Sequence, residues 1–171
     1  MVKANGYGHG LLLAADAMHE NVSGLGVALV EEARALREHG MTLPILVAEG
    51  FFDAEELKEA ERLSLEVVVH SQWQVELLLA SPCPVRIWLK VNTGMNRLGF
   101  RPDIALQAAA QLRAGGMAPV GVMSHFACAD VSQDAYSEKQ LLVAGQIAEQ
   151  LMLPLSASNS AALLRYPQSH A

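Results

Sequence analysis

Four short stretches of the chain carry side chains that could do chemistry. In the first, VKANGYGHG at residues 2–10, Lys3 and Tyr7 are four positions apart. A lysine amine that is kept partly neutral can form a Schiff base with a carbonyl compound. A tyrosine hydroxyl can hydrogen-bond an anion such as a phosphate. Taken alone, Lys3 is more often a solvated terminal lysine and Tyr7 a packing residue with its hydroxyl in water.

The second stretch is KVNTGMNRLGF at residues 90–100, in which two glycines bracket Arg97. The guanidinium is a rigid donor fork suited to a carboxylate or a phenolate oxygen. Lys90 alternates in direction with Leu89 and Val91, which predicts that it points into the protein. A buried lysine amine needs an anionic partner or must become neutral. Pairing with a loop carboxylate is an equally good interpretation of Lys90.

His125 in SHFACAD and the pair Asn159 and Ser160 in ASNSAA complete the set. His125 could stack on a ring, act as an acid or base, or be a hydrogen-bonded core residue. A metal is not expected, because no second ligand stands at a suitable spacing. Asn159 and Ser160 lie at a strand-to-helix junction, which favours an anion, although either could simply be an N-cap. A lysine, a candidate phosphate-binding site, an arginine and a histidine that could stack on a ring together favour a pyridoxal-phosphate (PLP) enzyme.

The elements that must position these residues form a repeat of strand followed by helix. Six short apolar runs are each followed by a helical pattern, and residues 2–4 with HGLLLAADAMHE predict a seventh unit. The predicted strands are GLGVALV at 24–30, LPILVAEG at 43–50, LEVVVHS at 65–71, VRIWLKV at 85–91, PVGVMSHF at 119–126 and LPLSASNS at 153–160. Asp53 is predicted to cap the helix after the second run, with Glu56 as its capping-box partner.

The repeat predicts an α/β fold with a parallel sheet, either doubly wound or a (β/α)₈ TIM-type barrel. Polar residues follow the strands at many points, which is how barrel enzymes build an active site. These residues are Lys3, Glu49, His70, Lys90, Asn92, His125, Asn159 and Ser160. A doubly wound sheet would usually carry a glycine-rich fingerprint after its first strand, and none is present. We therefore predict an incomplete (β/α)₈ barrel with about seven of its eight units.

Bulk composition excludes several classes of protein. The 171 residues are 51% hydrophobic and 18% charged, which predicts one folded domain. A net charge of −6 and the lack of a basic run argue against nucleic-acid and membrane partners. Cys83 and Cys128 stand in unrelated contexts, which predicts reduced core thiols in a cytoplasmic protein.

The quoted motifs resemble those of the alanine racemase family. VKANGYGHG is similar to the family signature VKANAYGHG, with Gly6 where alanine is usual. WLKVNTGMNRLGF at 88–100, SHFACAD at 124–130 and SASNSAAL at 156–163 resemble further family blocks in the same order. The resemblance covers essentially the whole chain. It implies a PLP-dependent isomerase that interconverts L- and D-alanine.

The resemblance also implies roles for individual residues. Lys3 would be both the Schiff-base lysine and the catalytic base on one face of the substrate Cα. Tyr7 and Ser160 would contact the cofactor phosphate, with Asn159 beside them. Arg97 would hydrogen-bond the cofactor's phenolic oxygen and help receive the substrate carboxylate. His125 would lie against the pyridine ring.

Lys90 matches a lysine that is carbamylated in many family members. Carbamylation would turn the cation into an anion able to orient Arg97, which would answer the cost of burying it. Asn92 stands where many members have aspartate. We therefore expect Arg97 to depend more strongly on the modification of Lys90.

By the same resemblance, residues 1–171 are part of an N-terminal PLP-binding barrel domain, truncated at both ends. The family's second acid/base is a tyrosine from the C-terminal β domain of the partner subunit, so the parent protein is expected to be a homodimer with shared active sites. Its D-alanine would supply bacterial cell-wall synthesis. The isolated chain is expected to have negligible racemase activity.

Other interpretations of the sequence are a non-catalytic PLP-binding barrel protein, a broad-specificity amino-acid racemase, and a barrel decarboxylase using the same cofactor. A non-functional gene fragment is a further one. A full-length sequence without a C-terminal β domain would favour the non-catalytic protein.

Overall fold

The structure, a computed structural model, describes residues 1–131 and 135–166. The chain divides into two compact units. The first comprises residues 1–68 and 80–86, and the second comprises residues 69–79 and 87–171. Each unit contains parallel strands and helices of its own, so each is described by itself.

The first unit alternates helices with three parallel strands. The strands pair in the order β1-β2-β3, with Leu25 opposite Ile45 and Val47 opposite Val67. Its elements are α1 (Lys3–Tyr7), α2 (Leu11–Met18), a 3₁₀ turn (His19–Asn21), β1 (Leu25–Val27), α3 (Val30–Glu38), β2 (Ile45–Val47), α4 (Ala54–Arg62) and β3 (Glu66–Val69). Every residue of β1 is buried, as expected for a parallel strand covered on both faces.

The start of α4 shows how the sequence sets a helix boundary. The Asp53 carboxylate accepts hydrogen bonds from the backbone N–H groups of Glu55 and Glu56, at 2.9 and 2.8 Å. This confirms the predicted N-cap. The Glu56 carboxylate accepts from the N–H of Phe52 at 2.8 Å, one residue before the expected partner Asp53. The capping box is therefore displaced by one residue.

The predicted strand at residues 2–4 is wrong. Val2 is buried and its N–H donates to the carbonyl of Gly26 at 2.7 Å, so the chain does run beside β1 at that one residue. From Ala4 onward the backbone turns left-handed, with φ of 53° at Ala4 and 55° at Asn5. Left-handed residues cannot continue a strand ladder, so the segment becomes the short turn α1 instead.

The second unit carries the other strands. They pair in the order β4-β5-β6, with Trp88 opposite Gly121 and Val122 opposite Leu155. A Cβ on Gly121 would lie 2.4 Å from the Trp88 ring, so only glycine fits there. The unit's elements are α5 (Gln72–Ala80), β4 (Arg86–Lys90), α6 (Pro102–Ala114), β5 (Gly121–Met123), α7 (Ala135–Leu151), β6 (Leu155–Ser156) and α8 (Ser160–Arg165).

The six predicted strand–helix units are confirmed, and every strand pairing described is parallel. Within residues 1–131 and 135–166, no helix is both long and apolar enough to cross a bilayer. Both cysteines are free, as predicted. The prediction that they are core residues is wrong, because each is only partly buried. Partial burial raises the pKa of the Cys83 thiol.

Candidate active site

The Lys3 loop in the first unit is a left-handed turn closed by its own backbone. Gly6 N–H donates to Val2 carbonyl at 2.8 Å, and Gly10 N–H donates to Asn5 carbonyl at 2.9 Å. The Asn5 side chain accepts from Leu11 N–H at 3.0 Å, which joins the turn to the start of α2. Lys3 is half-buried at the start of this turn, and Tyr7 is 61% exposed.

Glu32, on α3, fixes the backbone directly after Lys3. One carboxylate oxygen accepts from the N–H of Ala4 at 2.6 Å. The other accepts from Ala28 at 2.8 Å and from Leu29 at 3.3 Å, at the beginning of α3. A single carboxylate thus holds the lysine-bearing turn to a helix N-terminus. Sequence reasoning missed Glu32, although an acidic residue in the first turn of a helix is a recognisable signal for such bonds.

In the second unit, the loop at residues 91–100 follows β4 and folds back onto it. Phe100 N–H donates to Lys90 carbonyl at 2.9 Å, and Asn92 N–H donates to Phe100 carbonyl at 2.8 Å. The Asn92 side chain accepts from the N–H groups of Gly94 and Asn96, at 3.0 and 3.1 Å. Asn92, which stands where the resemblance leads us to expect aspartate, therefore shapes the loop that carries Arg97.

A cavity in the second unit brings three of the predicted site residues together. Lys90, Arg97 and His125 all line it, with Val91, Asn92, Thr93, Met95 and Leu98 completing the wall. Lys90 is only 7% exposed, as predicted, whereas Arg97 reaches the surface. Two of these side chains are basic and one is an imidazole, so the wall of the cavity carries groups that can donate hydrogen bonds to an anion or a phenolic oxygen.

Asn159 acts as a helix cap. Its side-chain oxygen accepts from the N–H of Ala162 at 3.0 Å, and its amide donates to the carbonyl of Phe126 at 3.5 Å. Ser160 is the first residue of α8 and is exposed. Neither residue is part of the wall of the cavity that holds Arg97. Lys3 and Tyr7 belong to the first unit, and the other predicted site residues belong to the second.

Comparison with known proteins gives the family. The alanine racemase N-terminal domain family matches residues 1–171. The chain belongs to this family. It is 78% identical to an alanine racemase of Alcanivorax borkumensis and 41% identical to one of Chromohalobacter salexigens, covering 100% and 99% of this chain. It covers 48% of each relative, so the chain spans about half the length of the curated relatives it matches.

Solved structures of alanine racemases share its fold. The structure from Acinetobacter baumannii superposes with a TM-score of 0.90 at 32% identity, over 99% of this chain and 51% of that one. The biosynthetic alanine racemase from Pseudomonas aeruginosa gives 0.89 at 38% identity, over 99% and 48%. These likenesses confirm the predicted α/β class of incomplete TIM-barrel type. The family resemblance inferred from the motifs is confirmed as well.

Proposed function

We propose that this chain is the N-terminal, PLP-binding barrel domain of an alanine racemase, an isomerase that interconverts L- and D-alanine. The observation that carries the proposal is the cavity lined by Lys90, Arg97 and His125. It joins two loops whose sequences, KVNTGMNRLGF and SHFACAD, are the ones that resemble the family. The chain's membership of the family supports the same conclusion.

The residues present fit PLP by their chemistry. The cofactor carries a phosphate, a phenolic oxygen and a pyridine ring, and it is held in enzymes through a lysine amine. A cation-lined cavity with a histidine offers donors to the phenolic oxygen and an aromatic face to the ring. Lys3 offers the amine, at the start of a turn that is hydrogen-bonded to α3.

We assign the individual roles as follows. Lys3 holds the cofactor and takes or returns the substrate Cα proton at its Nζ atom. Arg97 donates to the phenolic oxygen and to the substrate carboxylate, and His125 lies against the ring. Tyr7, Ser160 and Asn159 serve the phosphate. In this role Asn159 acts through α8, because its side-chain oxygen already caps that helix.

PLP, when bound, spreads the negative charge that develops on the substrate Cα. The protein's task is then to move one proton on each face of that carbon. Lys3 serves one face, and the residue is half-buried at the start of its turn. The opposite face requires a second acid/base, which we propose comes from a partner subunit of a homodimer.

We also propose that Lys90 is carbamylated. Its residue is only 7% exposed and lines the same cavity as Arg97. Reaction of the neutral amine with CO₂ forms an N–C bond and releases a proton, leaving a carbamate anion beside the guanidinium.

In the intact cell the protein would be cytoplasmic and would supply D-alanine to cell-wall precursors.

The assignment of Lys3 is tested by adding PLP to the purified chain, reducing with borohydride and mapping the labelled peptides. We expect an absorption band of lysine-bound PLP and a label concentrated on Lys3. The band should be lost in Lys3→Ala and retained in the matched control Lys58→Ala, since Lys58 is exposed on α4. A label distributed equally over exposed lysines would contradict the proposal.

The chemistry is tested with L- and D-alanine in D₂O, with NMR detection of deuterium at Cα. Because Lys3 serves one face, the PLP-loaded chain should exchange one enantiomer faster than the other, and Lys3→Ala should slow this exchange by about 10²–10⁴-fold. If PLP bound at Lys3 but neither enantiomer exchanged its Cα proton, the chain would be a PLP-binding protein without this chemistry. That result would contradict the proposed racemase function.

A further inference from the structure

Gln140 is a buried amide on α7 whose hydrogen bonds reach two different loops. Its side chain is 1% exposed. The Nε2 group donates to Thr93 Oγ1 at 3.3 Å and to the carbonyl of His125 at 3.2 Å. The Oε1 atom accepts from the N–H of Ala127 at 3.0 Å. Both donors and the acceptor of one amide are thus used inside the protein.

The two loops that meet at Gln140 are those that line the candidate cavity. Thr93 lies in the loop that carries Arg97, and Ala127 lies just after His125. A second set of bonds runs in parallel: Thr93 Oγ1 and Ser124 Oγ are 2.9 Å apart, and Ser124 Oγ donates to the carbonyl of Val91 at 3.0 Å. The hydroxyls therefore extend the contact of Gln140 from one loop to the end of the neighbouring strand.

The geometry requires an amide at position 140. A carboxylate would supply an acceptor to Ala127, but it would face the carbonyl oxygen of His125 without a proton to donate. A methionine would fill the same length and leave an N–H and a carbonyl without their partners. Only glutamine at this length donates twice and accepts once, which makes its role at this point specific rather than a matter of packing.

We propose that Gln140 is a positioning residue, which sets the relative placement of Arg97 and His125 by tying both of their loops to α7. That these loops hold PLP rests on the proposed function, whereas the bonds of Gln140 are observed without it. Gln140 touches neither the cofactor nor the substrate in this assignment. Its effect on the site passes through the backbone of His125 and the side chain of Thr93.

The first test is hydrogen–deuterium exchange of the full chain without PLP, comparing Gln140→Met with the matched control Gln146→Met. Gln146 lies on the same helix and is exposed. We expect about tenfold faster exchange in residues 91–100 and 125–129 of Gln140→Met. Exchange in β4, β5 and α6 should be unchanged, as should all exchange in Gln146→Met. Unchanged loops, or equal acceleration throughout the unit, would overturn the proposal.

Thr93→Val separates the two loops and serves if Gln140→Met fails to fold. It removes the hydroxyl that contacts both Gln140 and Ser124 while preserving side-chain shape, and it leaves the bonds of Gln140 to His125 and Ala127 in place. Exchange should therefore increase in residues 91–100 and stay unchanged in residues 125–129. Equal increases in both loops, or no change in either, would contradict the assigned connection.

PLP titration then links the network to the site. Gln140→Met should weaken PLP binding about tenfold, because more mobile loops lose more conformational entropy when PLP orders them. The PLP affinity of Gln146→Met should be unchanged. Failure of the unaltered chain to bind PLP would refute the proposed function, while the exchange comparison would still decide the role of Gln140. Looser loops with unchanged PLP affinity would overturn its role in the cofactor site.

Discussion

The loops that carry Lys3 and Arg97 are held in different ways. The turn after Lys3 closes on its own backbone and is tied to α3 by one carboxylate, whose two oxygens accept from Ala4, Ala28 and Leu29. The loop at 91–100 also closes on its own backbone, and the side chains that hold it are neutral: Asn92, Thr93, Ser124 and Gln140. The first loop therefore has a charged contact to a neighbouring helix, whereas the contacts named for the second are all neutral.

The difference follows from the local backbone. Four successive residues, 4–7, have positive φ between 53° and 61°, which is a strained conformation for the three that are not glycine. A charged acceptor placed on the helix beside it makes the strong bonds that a strained turn needs. The Arg97 loop is longer and closes on itself, so neutral bonds of ordinary strength suffice. This suggests that the two loops respond differently to the same kind of substitution.

The largest expected effect is from Gly99→Ala. At Gly99 φ is +117°, and a Cβ there would lie 2.8 Å from Asn92 N and 3.0 Å from the carbonyl carbon of Val91. Backbone cannot move aside as a side chain can, so we expect a loss of about 3 kcal/mol or more. Unfolding in urea measures it.

The matched change in the other loop is Gly6→Ala. There φ is +61°, and the nearest atom to an added Cβ is the Ala14 side chain at 3.0 Å. Its non-glycine neighbours Ala4 and Asn5 already adopt this conformation, so the cost should be about 1 kcal/mol. Equal losses for Gly99→Ala and Gly6→Ala would contradict the expectation that the backbone atoms beside Gly99 make the Arg97 loop less tolerant of an added Cβ.

For Glu32→Gln we expect a loss between those of Gly99→Ala and Gly6→Ala. Glutamine keeps one acceptor oxygen but places an NH₂ group against a backbone N–H, so one of the charged contacts is lost. We expect a loss of about 2 kcal/mol in unfolding free energy and faster amide exchange at Ala4. Glu31→Gln, on the exposed side of the same helix, is the control and should change little. If both variants behaved alike, the Lys3 turn would not depend on the Glu32 carboxylate.

The smallest expected effect is the loss of stability in acid when Glu59, which pairs with the helix that carries Glu32, becomes protonated. Glu59 on α4 pairs with Arg34 on α3 and with Arg62 at 3.0 Å. The hydrogen bond from Arg34, aided by Arg62, lowers the pKa of the Glu59 carboxyl from 4.5 to about 2 against the opposing effect of desolvation. Because the folded pKa is the lower one, the stabilisation is complete above pH 4.5 and is lost as the pH falls toward 2.

The check is the difference in melting temperature between the unaltered chain and Glu59→Gln, measured at several pH values. The advantage of Glu59 should be modest above pH 4.5, since the Arg34 and Glu59 side chains are 40% and 20% exposed, and should shrink in more acid solution. An advantage that grew on acidification would have the wrong sign for a depressed carboxyl pKa.

Particular residues show how far the sequence could predict the fold. Apolar runs placed all six strands, although every strand is shorter than its run, and the last, expected at 153–160, is only Leu155–Ser156. Asp53 was found as an N-cap because its bonds are local, with partners two and three residues away. The prediction of a strand at residues 2–4 was wrong, because the residue types of Ala4 and Asn5 do not by themselves predict a left-handed turn.

The residues of the candidate site also fall into those that the sequence predicted and those that it did not. The motifs identified Lys90, Arg97 and His125, and the structure brings these three to one cavity. Glu32 and Gln140 were missed, since their partners lie 28 residues away at Ala4 and 47 residues away at Thr93. The roles assigned to the site residues stay predictions; these residues are Lys3, Tyr7, Lys90, Arg97, His125, Asn159 and Ser160.

The sequence alone determined the strand–helix repeat, the parallel α/β class and the family, because periodicity and motif spacing are properties of neighbours along the chain. Tertiary structure decided which groups fix the site: a carboxylate on α3 for the Lys3 turn and an amide on α7 for the Arg97 and His125 loops. The reason is physical. Hydrogen bonds require a donor and an acceptor about 3 Å apart, and only the packed helices set that distance between residues remote in sequence.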